Sequence, residues 1–259
     1  MDLEEYIKLD ENDRFTFMKP SIDKIINILK ECKSEESDNK QIVVLKDDIF
    51  QIENSLLEKK LKKIFNYPIL NKLNDLKTFN SDNFWGININ TIKNDFTKNH
   101  KITNIVLCIN KYPVLSFIYD NLSNIIYIGV RLLGCFESRN FSTEIKDALW
   151  KTEVTDKLLV IQKDINIINN NNNDKLNNFI NYFLDNNIEL LSNDYFFLIK
   201  EFIENKCELG LIVSPIYIVD LLCYYNILKS LGFHIVNQDN LTIKFDNLNI
   251  IYDFLIVKN

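Results

Sequence analysis

Short, uninterrupted apolar runs in the second half of the chain constrain the fold most strongly. Three of them, at 125–129, 157–161 and 209–213, end near a glycine, a proline or a polar turn residue. Strands that are buried on both faces of a sheet have this pattern, whereas half-exposed strands alternate apolar and polar residues. Stretches with helical periodicity lie between the runs, for example at 176–184 and 195–205. We therefore predict an α/β fold with a doubly wound, mostly parallel sheet.

The end of the chain predicts paired strands that extend this sheet. An apolar helical stretch at 217–231 stops at Gly232, and glycine commonly ends helices because it adopts a left-handed backbone. Strand patterns follow at 233–236, 241–245 and 249–257, with polar turn residues between the first two. We expect an antiparallel C-terminal hairpin beside the parallel strands.

The first hundred residues predict helices instead. Apolar residues recur at helical spacing in 21–30 and again in 49–65. The stretch 79–104 is rich in Asn and Asp and predicts a loop. We expect a helical N-terminal extension over residues 1–100 and a Rossmann-like domain over residues 101–259.

Two features of this N-terminal region allow a functional and a structural interpretation. Trp85 could stack on a base or a partner, but a Trp in such a stretch more often anchors it to the core. Four lysines at 59, 60, 62 and 63 could form a basic patch for RNA. We favour the interpretation that they lie at the solvated C-terminal end of a helix, because the helix dipole stabilises cations there.

Composition narrows the functional classes. The chain has 259 residues, 46% of them hydrophobic, so it can bury a large core and is not a disordered protein. A formal net charge of −6 argues against nucleic-acid binding through a basic surface alone. The N-terminus is acidic and has no apolar signal segment, and the longest apolar runs are about half the length of a membrane helix. We expect a soluble, cytoplasmic protein without membrane contact.

Cysteine and histidine usage gives no sign of a metal site. Five cysteines are scattered without a C-x-x-C pair, and the chain has only two histidines, His100 and His234. We therefore expect reduced, mostly buried thiols and no bound metal, and we interpret His234 as a core or edge residue of a strand. Phosphate-binding loops, nucleophile elbows and H-E-x-x-H motifs do not occur in the sequence.

Two stretches carry a resemblance to a known family. The tail ILKSLGFHIVNQDN…IIYDFLIVKN is similar to the usual ending of class I methyltransferases, in which a helix stops at Gly-Phe and a hairpin follows. Within that group, the stretch LLSNDYFFLIKEFIENKCELGLIV…LKSLGF resembles the small regulatory subunit of the poxvirus mRNA-capping enzyme. The resemblance implies a Rossmann-like fold and, for that subunit, a donor site that no longer works.

The resemblance also implies where a methyl-donor site would lie. In the family, glycines follow the first strand because the backbone must approach S-adenosylmethionine closely. The stretch IIYIGVRLLGCFES supplies Gly129 and Gly134 for this role, but residues 130–133 fill the turn between them. Asp164 matches the acidic residue that binds the ribose, and Asp194 matches the position often used for catalysis.

A degenerate donor site leaves three hypotheses of function. The favoured one is a non-catalytic, methyltransferase-like regulatory subunit that forms a heterodimer with a catalytic partner in mRNA capping and meets RNA only indirectly. The protein would then work in the cytoplasm, or in a virion or viral factory if its source is a virus. The first alternative is an active S-adenosylmethionine-dependent methyltransferase with an atypical donor loop, and the second is an α/β interaction protein without a ligand. We expect no cofactor unless the first alternative holds.

Overall fold

A computed structural model of the chain describes residues 3–38, 56–71, 79–94, 97–147, 158–162, 189–191, 200, 203, 209–213, 217–237, 245 and 254–258. The chain divides into two units. Unit 1 combines Met1–Ala148 with Ile218–Ser230, and unit 2 combines Leu149–Tyr217 with Leu231–Asn259. A boundary at residue 100 would fall inside a strand of unit 1, so the division of the chain differs from the one expected at 1–100 and 101–259.

Unit 1 is built on a seven-stranded sheet in which each strand lies beside the one before it in sequence. In this order the strands are β1 (Ile69–Leu70), β2 (Phe84–Asn94), β3 (Thr97–Ile109), β4 (Tyr112–Asp120), β5 (Ile125–Val130), β6 (Gly134–Arg139) and β7 (Lys146–Asp147). β1 runs parallel to β2, and all the other neighbours are antiparallel. The loop predicted over 79–104 is wrong, because these residues form most of the β2–β3 pair.

Residues with a left-handed backbone form the turns of this meander. Asn110 and Lys111 have φ values of 51° and 64° and join β3 to β4. Two consecutive residues with positive φ make the tight hairpin turn whose twist matches that of the strands. The turn between β5 and β6 contains Leu132 at φ 64° and leads into Gly134 at φ 131°.

Helices cover both faces of the sheet. On one face, a buried apolar cluster joins the long helix α2 (Glu11–Asp38), the short helix α1 (Leu3–Lys8) and helical residues 56–61 to the strands. The other face packs against α3 (Ile218–Ser230), whose Ile227 lies so close to Gly129 that a Cβ there would be 2.9 Å from the Ile227 Cα. Because both faces are covered, strands such as β5 are apolar throughout.

The helix predicted over 21–30 is part of the longer α2. It runs through Pro20 because Met18 and Ile22, one turn apart, are both buried in the same cluster. Polar residues extend it further, with Glu31 paired to Lys60 at 2.7 Å. One of the four lysines of residues 59–63 is therefore paired with a glutamate of α2.

Unit 2 contains a five-stranded sheet in which the mixed α/β prediction is confirmed. Its strands lie in the order β11 (His234–Asn237), β12 (Phe254–Lys258), β10 (Leu209–Val213), β8 (Leu158–Gln162) and β9 (Glu189–Leu191). β8 is parallel to both β9 and β10, while β12 is antiparallel to β10 and β11. Gly232, two residues after the last residue of α3, has φ 92°, as expected of a residue that ends a helix. The predicted helices at 176–184 and 195–205 and the strand at 241–245 lie wholly or largely outside the described residues.

Sheet topology corrects the finer fold prediction. A doubly wound sheet is mostly parallel throughout, but the sheet of unit 1 is an antiparallel meander and only unit 2 has parallel neighbours at its centre. In the part of the chain that the structure describes, no helix is both long enough and apolar enough to cross a membrane.

Candidate functional site

Polar side chains gather on the face of the unit 1 sheet that packs against α3. Side chains alternate along a strand, so residues two apart share a face. Asn88 of β2 lies directly opposite Asn104 of β3, and both face α3, where Asp220 occupies the first turn. Asp220 is 5% exposed, Asn88 3% and Asn104 fully buried. A buried acid surrounded by buried amides needs an explanation, because such groups are costly to bury without partners.

The Asp220 carboxylate accepts hydrogen bonds from three asparagine side chains. The Asn88 amide nitrogen lies 2.7 Å from each carboxylate oxygen, and the Asn104 nitrogen lies 2.7 Å from Oδ1. Asn90 donates to Oδ2 at 3.2 Å. Together these residues form an amide cluster, by which we mean Asn88, Asn90, Asn104 and Asp220. Hydrogen bonds to an ionised acceptor are the stronger kind, so the cluster offsets the cost of burying the charge.

The cluster continues along α3 through neighbouring polar groups. Asn104 also donates to the Tyr224 hydroxyl at 3.2 Å, while its own Oδ1 has no hydrogen-bond partner among the described residues. Cys223 contacts the carbonyls of Ile105 and Phe117 at 3.7 and 3.2 Å. Burial raises the pKa of the Cys223 thiol well above its usual value, and the negative charge of Asp220 raises it further. The thiol is therefore held protonated and is a poor nucleophile.

A second buried pair lies on the same sheet. His100 Nε2 is 2.9 Å from Asp120 Oδ1, and both side chains are almost fully buried. Asp120 also accepts the Leu122 amide at 2.9 Å and the Ser123 hydroxyl at 2.7 Å, so it organises the turn after β4. In a nucleophilic triad the histidine stands between the serine and the acid. Here the acid stands between Ser123 and His100, which makes this a structural pair.

Of the residues predicted for a methyl-donor site, the structure describes Gly129 and Gly134. Gly129 lies inside β5 beneath α3, and its carbonyl accepts a hydrogen bond from Asn226 at 2.9 Å. Gly134 begins β6 after the hairpin turn and has open space around it. Asp164 and Asp194 lie outside the described residues. The two glycines are thus turn and packing residues of an antiparallel hairpin.

The structure settles the smaller predictions. Trp85 is fully buried and its indole N–H donates to the Phe65 carbonyl at 3.2 Å, which confirms the anchoring interpretation. His234 is exposed on the edge strand β11. The four described cysteines are free thiols, and three of them are buried, as expected. They are Cys32, Cys108, Cys135 and Cys223.

Comparison with solved structures identifies the fold. CysQ from Bacteroides thetaiotaomicron, described as a bacterial member of the inositol monophosphatase family, is 15% identical with a TM-score of 0.68, over 92% of this chain and 94% of that one. Inositol monophosphatase II from Staphylococcus aureus is 11% identical with a TM-score of 0.65, over 91% and 85%. The enzyme from Thermotoga maritima is 13% identical with a TM-score of 0.59, over 95% and 92%. The fold is that of the inositol monophosphatases. Neither a family model nor a curated protein matches the sequence.

These neighbours overturn the methyltransferase interpretation. The resemblance to class I methyltransferases and to the poxvirus capping subunit is wrong, and with it the predicted role in mRNA capping. The expectation of either no cofactor or S-adenosylmethionine is also wrong, because the inositol monophosphatases use divalent metal ions. The predicted heterodimer with a catalytic partner falls as well, since members of that family typically act as single subunits or homo-oligomers. The error arose because a sheet covered on both faces has apolar strands whether they run parallel or antiparallel.

The described residues around Asp220 do not fit a resident Mg²⁺. Magnesium takes oxygen ligands in near-octahedral geometry, usually from one or two carboxylates together with water and phosphate. Both oxygens of Asp220 instead receive N–H groups from amides. Within the described ranges, no group of three or more His, Cys, Asp or Glu side chains is placed to hold a metal ion. The donor set is therefore one that stabilises a carboxylate by hydrogen bonding.

Sequence reasoning missed this cluster, although one signal could have indicated it. Asp220 is the single charged residue in the first three turns of an otherwise apolar helix. A lone acid in a buried helix must have partners, so the helix could have been searched against polar positions on predicted strands. Asn88 and Asn104 are harder to find, because each stands among many other asparagines.

Proposed function

We propose that the chain binds small phosphate monoesters without hydrolysing them, as a protein of the inositol monophosphatase fold whose central carboxylate is bound by amides. The class of ligand is taken from the neighbours: structures of the Staphylococcus aureus enzyme hold inositol monophosphate and 2′-AMP. One observation of this chain supports the loss of hydrolysis, which is the set of amide N–H groups on Asp220. A location in the cytoplasm stays a prediction.

The strength of the amide cluster argues against cation binding at Asp220. A divalent ion could use this carboxylate only after the amide groups of Asn88 and Asn104, which donate to it at 2.7 Å, had been displaced. Hydrogen bonds to charged groups contribute about 1.5–3 kcal/mol each, so the competition costs about 3–6 kcal/mol. That corresponds to roughly two to four powers of ten in cation affinity. A phosphatase that relies on bound Mg²⁺ would lose most of its activity at this cost.

Assays with the full chain test binding and hydrolysis separately. We expect inositol 1-phosphate and 2′-AMP to bind in calorimetry with the same affinity in Mg²⁺ and in EDTA. We also expect no release of inorganic phosphate above the buffer blank. Turnover that depends on Mg²⁺ would show an active phosphatase and overturn the proposal. Absence of binding by both esters would also overturn the proposal, because it would show that the chain is not a phosphate ester binder.

Two variants connect the outcome to the amide cluster. Asn88→Asp combined with Asn104→Asp places three carboxylates together without changing side-chain volume, and we expect the variant to bind Mn²⁺ and to be stabilised by it. Asn226→Asp is the matched control, because Asn226 is also buried on α3 but bonds to Ser116 and Gly129. We expect no gain of Mn²⁺ binding from that change. Equal Mn²⁺ binding by both variants would show that the position of the amides is unimportant.

A further inference from the structure

A cavity in unit 1 lies away from the amide cluster, at the other end of α3. It has a volume of about 330 Å³ and is formed by the start of β4, the β5–β6 turn and the last two turns of the helix. Its lining includes Tyr112, Arg131, Leu132, Tyr225 and Lys229. Small-molecule sites begin at roughly this size, about 300 Å³. The cavity combines two cationic side chains with aromatic rings, and none of its described lining residues is acidic.

Arg131 is the residue that points most directly to a ligand. Its guanidinium lies over the ring of Tyr112, 5.2 Å from the ring centroid. Among the described residues, no carboxylate forms an ion pair with it, whereas Arg139 on the next strand is paired with Glu137 at 2.9 Å. A planar guanidinium held against an aromatic ring keeps its N–H groups available at the ring edge, which suits carboxylates and phosphates. The positive charge therefore faces a cavity without a described counter-charge.

The turn that carries Arg131 is held rigidly from three sides. The backbone carbonyl of Arg131 accepts the Tyr6 hydroxyl at 2.7 Å, and its amide donates to the Val114 carbonyl at 3.0 Å. Leu133 closes the turn with a hydrogen bond to the Val130 carbonyl at 3.0 Å. A fixed backbone lowers the entropy that a ligand must remove on binding, so the site is largely preformed.

Leu132 adds a second, independent observation. It is a non-glycine residue at φ 64°, and its side chain is 52% exposed at the cavity. Both features are unfavourable for an isolated turn, because the left-handed region costs about 1–2 kcal/mol for an ordinary residue and an exposed leucine gains no burial. Tyr112, across the cavity, is also among the exposed large hydrophobic residues. A ligand with an apolar body would cover both side chains.

We propose that this cavity binds a small aromatic anion, with the ring between Tyr112, Leu132 and Tyr225 and the anionic group on Arg131. The charge of Arg131 also acts on Tyr225: burial raises the pKa of that hydroxyl, and Arg131 lowers it in part. Both groups line the same cavity, so one molecule can contact them together. This site is independent of the proposed phosphate ester binding and does not involve Asp220.

The test uses three probes on the full chain: 2-naphthoate, its neutral counterpart 2-naphthamide, and acetate, which has the charge but no ring. We expect calorimetry and saturation-transfer NMR to show saturable binding of naphthoate. Naphthamide should bind roughly tenfold more weakly, since a charge-assisted hydrogen bond contributes about that much. Acetate should not bind measurably. Equal affinity for naphthoate and naphthamide, or no saturable naphthoate binding, would overturn the proposal.

Two variants assign the effect to Arg131. Arg131→Gln should lower naphthoate affinity to the level of naphthamide and leave naphthamide affinity unchanged, which also shows that the variant is folded. Arg139→Gln is the matched control on the same hairpin, and it should change neither affinity. Arg131→Lys keeps the charge without the planar group and should lie between wild type and Arg131→Gln. A loss of naphthoate binding in Arg139→Gln equal to that in Arg131→Gln would refute the assignment.

Discussion

A double-mutant cycle on Asn88 and Asp220 measures the amide cluster directly. We consider Asn88→Ala, Asp220→Ala and the double variant, each compared with wild type in its free energy of unfolding. The amide nitrogen of Asn88 lies 2.7 Å from both oxygens of Asp220. Hydrogen bonds to charged groups contribute about 1.5–3 kcal/mol, so we expect a coupling energy of that size. Asp220→Ala alone should cost more than Asn88→Ala, because it removes the acceptor of three amides.

Urea unfolding followed by tryptophan fluorescence is the assay. Trp85 lies in β2, the strand that carries Asn88, and is fully buried. The chain has two tryptophans, so a Trp150→Phe background makes Trp85 the only reporter and confines the signal to unit 1. All four proteins should be measured in EDTA and again in Mg²⁺. The coupling should be the same in both, because amides rather than a cation bind the carboxylate.

A neutral pair on the same face supplies the comparison. Asn226 donates to the Ser116 hydroxyl at 3.1 Å, and both side chains are buried. Neutral hydrogen bonds contribute about 0.5–1.5 kcal/mol, so the Asn226–Ser116 coupling should be about half that of Asn88–Asp220. The reasoning is refuted if the charged pair couples by less than about 0.5 kcal/mol, which is the limit for independent sites. A coupling that changes on adding Mg²⁺ would show a cation at Asp220.

Three further outcomes follow from the described contacts. Gly129→Ala should lower the free energy of unfolding by at least about 1–3 kcal/mol, because a Cβ there would lie 2.9 Å from the Ile227 Cα, and an unchanged melting temperature would contradict this close approach. Burial raises the pKa of the thiols of Cys108, Cys135 and Cys223. At pH 8 a thiol reagent should therefore modify half-exposed Cys32 and leave these three thiols unmodified until the protein unfolds. Burial also raises the pKa of Tyr6 to about 12 from 10.0, so the unfolded chain ionises first and stability should fall between pH 10 and 12 by up to about 2.7 kcal/mol. Tyr6→Phe should remove that part of the alkaline loss in urea titrations at each pH.

The parts of the fold that were predictable are those in which local pattern and tertiary environment agree. The strands of unit 2 and the end of α3 at Gly232 follow from continuous apolar runs and from a glycine in a left-handed turn. The direction of the strands could not be predicted from these local patterns. Residues 125–130 are as apolar as a parallel strand because α2 and α3 cover both faces of the sheet, and nothing in one strand records how its neighbour runs. The Asn-rich stretch of β2 and β3 does not form the predicted loop for a related reason, since Asn88 and Asn104 face other polar groups in the interior.

The candidate site was hidden because its meaning depends on register. Asn88 and Asn104 are ordinary residues until the β2–β3 pairing sets them opposite each other, and Asp220 is more than a hundred residues away in sequence. Each residue alone favours a surface turn, so local propensity gives the wrong environment for all three. What the sequence does show is the contradiction: an acid within an apolar helix has to find donors elsewhere. Amides can stabilise a buried carboxylate by hydrogen bonding without adding charge. A chain with asparagines at these positions can therefore keep this fold with a single acid, where several acids would require a cation. On this reasoning, changing Asn88 and Asn104 to aspartates should make the folding of unit 1 depend on the cation.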